Sequence, residues 1–173
     1  SGIGGGSSDA AAVLKGLMRL WNVKPEQEAL QALALALGAD VPVCLLGRAA
    51  FMAGIGEDLT LAPALPACSL VLVNPGVYLP TPNVFRALAE SGLKYSNPGT
   101  FDYGPNDLSE LVSILQSRNN DLAPAAVGLA PVIGDVISAL ERCNGAKMAR
   151  MSGSGATCFA LFTDPGEAAA ATL

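Results

Sequence analysis

Histidine is absent from this sequence of 173 residues, and that absence excludes several kinds of site at once. Catalytic triads built on histidine and the usual zinc sites both need its imidazole ring. Acid–base chemistry would therefore depend on carboxylates, lysines or tyrosines. None of the four cysteines forms a CxxC pair, and no set of side chains has the spacing of a metal site. We interpret the cysteines as buried, reduced thiols of a cytoplasmic protein.

Positive charge is also scarce. The chain has 10 Lys and Arg against 15 Asp and Glu, which gives a net charge of −5. A nucleic-acid partner would need a basic face to offset the phosphates, so we predict none. No apolar run reaches the roughly 20 residues of a membrane span, so we predict no membrane partner either. The oligomeric state does not follow from the sequence.

What the sequence does contain, at its start, is a glycine-serine run that we call the first glycine loop. Its residues are Gly2, Ile3, Gly4, Gly5, Gly6, Ser7 and Ser8. A helical pattern follows from Ala10 to Trp21. Glycine lets the backbone approach a phosphate closely, and the free N–H groups of a helix start attract anions. The serines can donate to phosphate oxygens, or one of them can hold Mg²⁺. The run lacks the GK[ST] of a P-loop, and a flexible linker is the alternative interpretation.

A similar run lies near the other end of the chain, and we call it the second glycine loop. It comprises Ser152, Gly153, Ser154, Gly155, Ala156 and Thr157. It lies between two apolar segments, 147–151 and 157–163, that we predict to be strands. A tight hairpin turn is the alternative to a functional loop. Two such runs in one chain favour a functional role.

Asp40 is the candidate base. It lies between a predicted helix, 26–37, and the apolar run 41–46, which we predict to be a strand. A phosphoryl transfer needs a group that orients and deprotonates the attacking hydroxyl. The alternative is a carboxylate that only caps a turn.

The remaining pattern alternates strands with helices and predicts an α+β sandwich. Further strands are predicted at 49–54 and 69–74, and further helices at 82–88, 109–115, 132–142 and from 166 onwards. The segment 95–107 has the composition of a surface loop, and Asn120 and Asp121 that of a polar turn or helix N-cap. The proline-containing segment 59–66 is interpreted as a linker, which gives domains at 1–63 and 64–173.

Four segments, in this order, resemble the GHMP kinase superfamily. They are GIGGGSSDAA at 2–11, LGADVP at 37–42, NPGVYLPTPNVF at 74–85 and MSGSGATCFALF at 151–162. The resemblance implies the remainder of an S5-like ATP-binding domain at 1–63 and a ferredoxin-like domain at 64–173. It also implies ATP with Mg²⁺ as cofactors. The PTPxxF piece is similar to the branch whose small-molecule substrate is a cytidine diphosphate-linked methylerythritol of the non-mevalonate isoprenoid pathway.

The same resemblance implies roles for particular residues. The first glycine loop would hold the ATP phosphates, with Gly153, Ser154 and Gly155 of the second loop shaping that site. Asp40 would be the catalytic aspartate. Phe85 would stack on the cytosine of the substrate and Thr81 would contact the substrate nearby. For Phe85, an ordinary core aromatic on a helix is the alternative.

The resemblance also implies parts that this sequence lacks. Superfamily members carry a catalytic lysine and an adjacent asparagine on their first strand, an adenine pocket, and a second stacking aromatic. We therefore expect this chain to be part of a longer polypeptide and to be inactive by itself. Two alternatives remain open: a GHMP kinase of the mevalonate or homoserine type, and a non-catalytic nucleotide- or metabolite-binding protein on the same fold.

Overall fold

A computed structural model describes residues 2–172 of the chain. Ser1 and Leu173, the outer ends of the two predicted domains, lie outside the described residues. The chain divides into two compact units. We call residues 4–64 with 100–104 the N-unit, and residues 2–3, 65–99 and 105–172 the C-unit. The first glycine loop is therefore divided, because Gly2 and Ile3 belong to the C-unit.

The N-unit is mostly helical. Its elements are α1 (Gly5–Leu20), α2 (Gln27–Leu37), α3 (Val41–Leu46), β1 (Ala50–Ala53) and β2 (Asp58–Leu61). The two strands form an antiparallel hairpin in which Ala50 lies opposite Leu61. Ala11 of α1, Ala34 of α2 and Val41 of α3 form its buried core. These small side chains allow the three helices to approach each other closely.

Three sequence predictions for this unit are wrong. The predicted linker 59–66 begins inside strand β2, because Leu59, Thr60 and Leu61 pair with β1. The run 41–46 is a helix and not a strand. Pro42 is compatible with this, because it lies in the first turn, where its missing N–H costs no hydrogen bond, whereas inside a strand it would remove one. In a short, wholly apolar run, the sequence pattern does not distinguish a helix from a buried strand. The first helix begins at Gly5 and not at Ala10. Gly5, Gly6, Ser7 and Ser8 therefore lie in its opening turn and not in a loop before it.

The C-unit is an antiparallel sheet with helices on both faces. Its elements are β3 (Ser69–Val73), α4 (Thr81–Ser91), α5 (Leu108–Gln116), α6 (Ala123–Leu129), α7 (Val132–Glu141), β4 (Met148–Met151), β5 (Cys158–Phe162) and α8 (Pro165–Ala170). In the described part of the chain, three strands pair in the order β3-β5-β4. Ala160 at the centre of β5 lies opposite Val71 on one side and Ala149 on the other. Every element except α6 is predicted by the sequence pattern.

Alternate side chains of β5 point to opposite faces of the sheet, as the pleat requires. Cys158, Ala160 and Phe162 pack into a core with α4, α6, α7 and α8. Phe159 and Leu161 pack on the other face against α5. Helices therefore cover both faces, and the predicted α+β sandwich is confirmed.

The structure also shows the environment of each cysteine and the length and hydrophobicity of each described helix. All four cysteines are unpaired, but only Cys158 is fully buried while the other three are half-buried. Burial raises the pKa of the Cys158 thiol, which keeps it protonated and unreactive. No helix within residues 2–172 combines the length and hydrophobicity needed to cross a membrane.

Candidate functional site

The N-unit part of the first glycine loop forms an open helix start. Gly4 precedes α1 in the left-handed region, with φ 63° and ψ 26°, and no described side chain caps the helix. A Cβ built on Gly5 or Gly6 would meet no described atom within 4 Å. The N–H groups of the first turn have no partner within the helix. This arrangement leaves both room and donors for an anion such as a phosphate.

Asp40 lies beside this helix start. A Cβ built on Gly4 would lie 3.9 Å from Oδ2 of Asp40. On the same loop, a Cβ on Gly38 would lie 3.9 Å from Oγ of Ser7. Asp40 precedes α3, yet among the described residues its exposed side chain makes no capping hydrogen bond. The turn-capping alternative for Asp40 is wrong, and the carboxylate lies where it can reach a group bound at the start of α1.

The C-unit part of the first loop packs directly on the second loop. The Ser152 hydroxyl donates a hydrogen bond to the Gly2 carbonyl. Gly2 has φ +97°, and a Cβ there would lie 2.9 Å from the Gly155 carbonyl oxygen. Contacts this short between Cβ and backbone are not tolerated, so only glycine fits at position 2. The two loops thus touch at the residue where the first begins.

The second glycine loop is a tightly closed connection between β4 and β5. Ser152 N–H donates to the Thr157 carbonyl at 2.9 Å, and Gly155 N–H donates to the Ser152 carbonyl at 2.9 Å. Gly153 and Gly155 both have positive φ, at 54° and 83°. A hairpin turn is therefore a correct description of its backbone.

The side chains of this loop nevertheless reach well beyond a turn. The hydroxyls of Thr81 and Ser154 lie 2.7 Å apart. Thr157 accepts a hydrogen bond from Nδ2 of Asn74 at 2.9 Å. Asn74 and Thr81 both belong to the NPGVYLPTPNVF segment, so the second loop holds that segment at two points.

Phe85 lies one helical turn after Thr81 on α4 and on the same side of it. Phe85 is 45% exposed, whereas Val84 and Leu88 are buried in the core. The core-aromatic alternative for Phe85 is therefore wrong. An exposed aromatic next to a polar hydroxyl contact can offer a stacking face to a planar ligand.

The comparisons with known proteins agree with these motifs. A model of the GHMP kinases N terminal domain matches residues 1–48, and a model of the GHMP kinases C terminal region matches residues 105–172. The 4-diphosphocytidyl-2-C-methyl-D-erythritol kinase of Paramagnetospirillum magneticum is 50% identical over 171 residues, covering 99% of this chain and 59% of that protein. The same-named kinase of Parvibaculum lavamentivorans is 49% identical over 173 residues, covering 100% of this chain and 60% of that protein.

This chain belongs to the GHMP kinase family. A crystal structure of 4-(cytidine 5'-diphospho)-2C-methyl-D-erythritol kinase matches with a TM-score of 0.72 and 34% identity, over 99% of this chain and 60% of that one. The predicted GHMP kinase fold is confirmed. The chain spans about three fifths of the length of these relatives.

In this GHMP kinase chain, two asparagines make long-range contacts that the sequence does not predict, although it predicts a polar turn or helix N-cap at Asn120. Asn74, besides its bond to Thr157, accepts from Gly76 N–H at 2.8 Å. Asn120 donates from Nδ2 to the carbonyls of Met151 at 3.1 Å and Gly153 at 2.8 Å. An asparagine before Pro-Gly signals a turn. Nothing in the sequence signals the contact that Asn120 makes, because its partners are backbone atoms distant along the chain.

Asp121, the residue after Asn120, holds the surface segment 95–99 through two hydrogen bonds to Ser96. The carboxylate of Asp121 accepts from the hydroxyl and from the backbone N–H of Ser96, each at 2.7 Å. These two hydrogen bonds lower the pKa of Asp121. Asp121 and Arg118, which donates to the Gly99 carbonyl at 2.8 Å, therefore link the exposed segment 95–99 to the rest of the C-unit.

Proposed function

We propose that the full-length protein transfers the γ-phosphoryl group of ATP to the 2-hydroxyl of 4-diphosphocytidyl-2-C-methyl-D-erythritol. One observation carries the phosphoryl-transfer part: the Asp40 carboxylate lies beside the uncapped helix start at Gly4. The substrate is supported by the names of relatives that are about 50% identical over nearly the whole chain. The products would be the 2-phosphate and ADP.

In this reaction, the residues of this chain would have the following roles. The N–H groups at the start of α1 would bind the phosphates of ATP, helped by the helix dipole. Asp40 would accept the proton of the 2-hydroxyl while the oxygen of that hydroxyl bonds to the γ-phosphorus. The bond between the γ-phosphorus and the oxygen that bridges it to ADP breaks in the same step, and ADP leaves. A tertiary alcohol is a poor nucleophile, so holding it in line would contribute much of the acceleration.

Mg²⁺ fits this site only in company with the triphosphate. Residues 2–172 contain no group of three or more acidic or Cys side chains placed to hold a metal by themselves. The hydroxyls of Ser7 and Ser8, in the opening turn of α1, are the protein groups that would contact the ion. Bound there, Mg²⁺ would supply neutralisation of the phosphate charge.

Thr81 and Phe85 would recognise the other end of the substrate. Phe85 presents an exposed ring one turn from the Thr81 hydroxyl. Stacking of a base on such a ring contributes about 1–3 kcal/mol. We propose that Phe85 binds the cytosine and that Thr81, held by Ser154, contacts the substrate beside it.

Turnover by the full-length protein tests the substrate. A coupled assay of ADP release is expected to show activity with the cytidine diphosphate-linked methylerythritol and none with mevalonate phosphate or homoserine. Activity with either of those, and none with the first, would sink the assignment. Tight ATP binding without turnover of any of the three would favour a non-catalytic nucleotide-binding protein.

Asp40→Asn tests the base. Loss of a general base should lower turnover by about 10²–10⁴-fold, while ATP affinity stays within about a few fold. Asp58→Asn is the matched control, because Asp58 is an exposed carboxylate of the same unit. Near-normal turnover in Asp40→Asn would remove Asp40 from this role.

A cytoplasmic location belongs to the same proposal. All four cysteines are unpaired in the structure. Unpaired thiols are typical of proteins kept in a reducing compartment. Fractionation of cells that produce the full-length protein would test it.

A further inference from the structure

Asn120 lies in the turn between α5 and α6, and neither phosphate binding nor substrate binding accounts for it. Its side chain makes hydrogen bonds through both ends of the amide. Nδ2 donates to the carbonyls of Met151 and Gly153, and Oδ1 accepts from Leu122 N–H at 3.1 Å. The Oδ1 bond starts α6. The two Nδ2 bonds reach a different part of the C-unit, 31 and 33 residues further along the chain.

The two carbonyls that Asn120 binds lie on either side of Ser152. Met151 ends β4, and Gly153 opens the second glycine loop with φ 54°. These two bonds restrain the peptide groups on either side of Ser152, and the carbonyl of Ser152 itself accepts from Gly155 N–H at 2.9 Å. Three successive carbonyl directions are therefore held, and this limits rotation of the backbone at Ser152. The Ser152 hydroxyl is the group that binds the Gly2 carbonyl.

On its other side, Gly153 adjoins Ser154. Ser154 is only 9% exposed, and its hydroxyl lies 2.7 Å from that of Thr81. A rotation of the Gly153 peptide would therefore move two contacts together: Ser152 with Gly2, and Ser154 with Thr81. Asn120 is placed to prevent that rotation.

We propose that Asn120 is a positioning residue that fixes the second glycine loop against Gly2 and Thr81. The proposal rests on the proposed kinase function, in which Gly2 opens the phosphate-binding loop and Thr81 contacts the substrate. Asn120 acts through the backbone of the second loop and touches neither ligand.

Asn120→Asp separates the two ends of the side chain. The carboxylate keeps an acceptor for Leu122 N–H, so the start of α6 is preserved. It replaces the NH₂ donor with an oxygen that would face two carbonyl oxygens, and acceptor facing acceptor repels. Asn119→Asp is the matched control, because it makes the same change at the exposed preceding residue.

In the full-length protein, Asn120→Asp is expected to lower kcat/KM for the methylerythritol substrate by about 30-fold or more per folded molecule, since small misplacements in such sites are costly. Asn119→Asp is expected to stay within about threefold of the wild type. Ser154→Ala acts through the same loop, so the double variant Asn120→Asp/Ser154→Ala should lose much less than the product of the two single losses. A role limited to stability would not produce this non-additivity.

Two results would overturn the proposal: kcat/KM for Asn120→Asp within about threefold of the wild type, or losses that multiply in the double variant. If Asn120→Asp does not fold, Asn120→Ala enters the same cycle under the same criteria. Amide hydrogen exchange of residues 152–157 provides a readout independent of turnover. It should accelerate in Asn120→Asp and not in Asn119→Asp, and unchanged exchange overturns the proposal even if the wild type proves not to be a kinase.

Discussion

The two glycine loops have similar compositions and opposite environments. In the opening turn of α1, a Cβ on Gly5 or Gly6 would meet no described atom within 4 Å. In the second loop, a Cβ on Gly155 would lie 2.8 Å from Sδ of Met151, and Ser154 and Thr157 are buried. Glycine leaves room for a ligand at the start of α1, and it allows close packing in the second loop.

The polar groups of the two loops differ in the same way. The second loop uses its hydroxyls internally, Ser154 with Thr81 and Thr157 with Asn74. At the start of α1, no described side chain caps the N–H groups. The buried hydroxyls of the second loop are engaged in contacts within the protein, whereas the N–H groups at the start of α1 are open to a ligand. The contrast agrees with the proposal, in which the first loop binds phosphate and the second supports it.

Among the changes that compare the two loops, Gly2→Ala should have the largest effect, because it disrupts the place where they touch. Its φ of +97° and its approach to the Gly155 carbonyl leave no room for a methyl group. A backbone shift of about 1 Å there should lower turnover of the full-length protein about 10²-fold. Gly128→Ala is the control, since a Cβ on Gly128 meets no described atom within 4 Å. Near-normal turnover in Gly2→Ala would mean that the loops do not depend on each other.

Ser8→Ala tests the open loop by itself. Ser8 is exposed in the first turn of α1. Loss of one hydrogen bond to a phosphate should raise KM for ATP by about tenfold, which corresponds to about 1.4 kcal/mol. The thermal unfolding midpoint should not change. Ser138→Ala, at an exposed position of α7, is the control. A lowered midpoint with an unchanged KM would assign Ser8 to folding and reverse the comparison.

Thr157→Val tests the second loop, where we expect an effect on stability and not on the KM for ATP. Thr157 is 4% exposed and accepts from Asn74 at 2.9 Å. Valine keeps the shape and removes the acceptor, so the free energy of unfolding should fall by about 1 kcal/mol. Chemical denaturation measures this, with Thr163→Val at an exposed position as the control. No loss of stability would show that burial alone, without the hydrogen bond, holds the second loop.

The sequence predicts the C-unit much better than the N-unit, and the reason is periodicity. The strand β5 alternates between two buried faces and α7 has one apolar face, so the residues themselves specify both elements. The segments 5–8 and 41–46 have no such pattern. Glycine and serine have low helix propensity, yet 5–8 is helical because α1 packs on α3 through Ala11 and Val41.

For the site, sequence patterns locate loops but not the contacts between them. The loops, Asp40 and the segment containing Thr81 follow from motifs. The bond between Thr81 and Ser154 spans 73 residues, and that between Asn120 and Gly153 spans 33. Such bonds depend on how β3, β5 and the helices pack, and local propensity carries no information on that. The contacts made by the second loop are therefore visible only in the structure.

Gly16→Ala should have the smallest effect. It tests whether phosphate binding at the start of α1 depends on the low helix propensity of Gly16 within that helix. Gly16 lies inside α1, and a Cβ there would meet no described atom within 4 Å. Alanine should stabilise the protein by about 0.4–1 kcal/mol, and Ala12→Gly, at an exposed position of α1, should do the reverse. Thermal unfolding and turnover should be measured on the same samples. Unchanged turnover at higher stability would mean that the first loop is open by its geometry alone. Lower turnover would mean that its opening turn must loosen to bind phosphate, and the difference between the loops would then be one of dynamics.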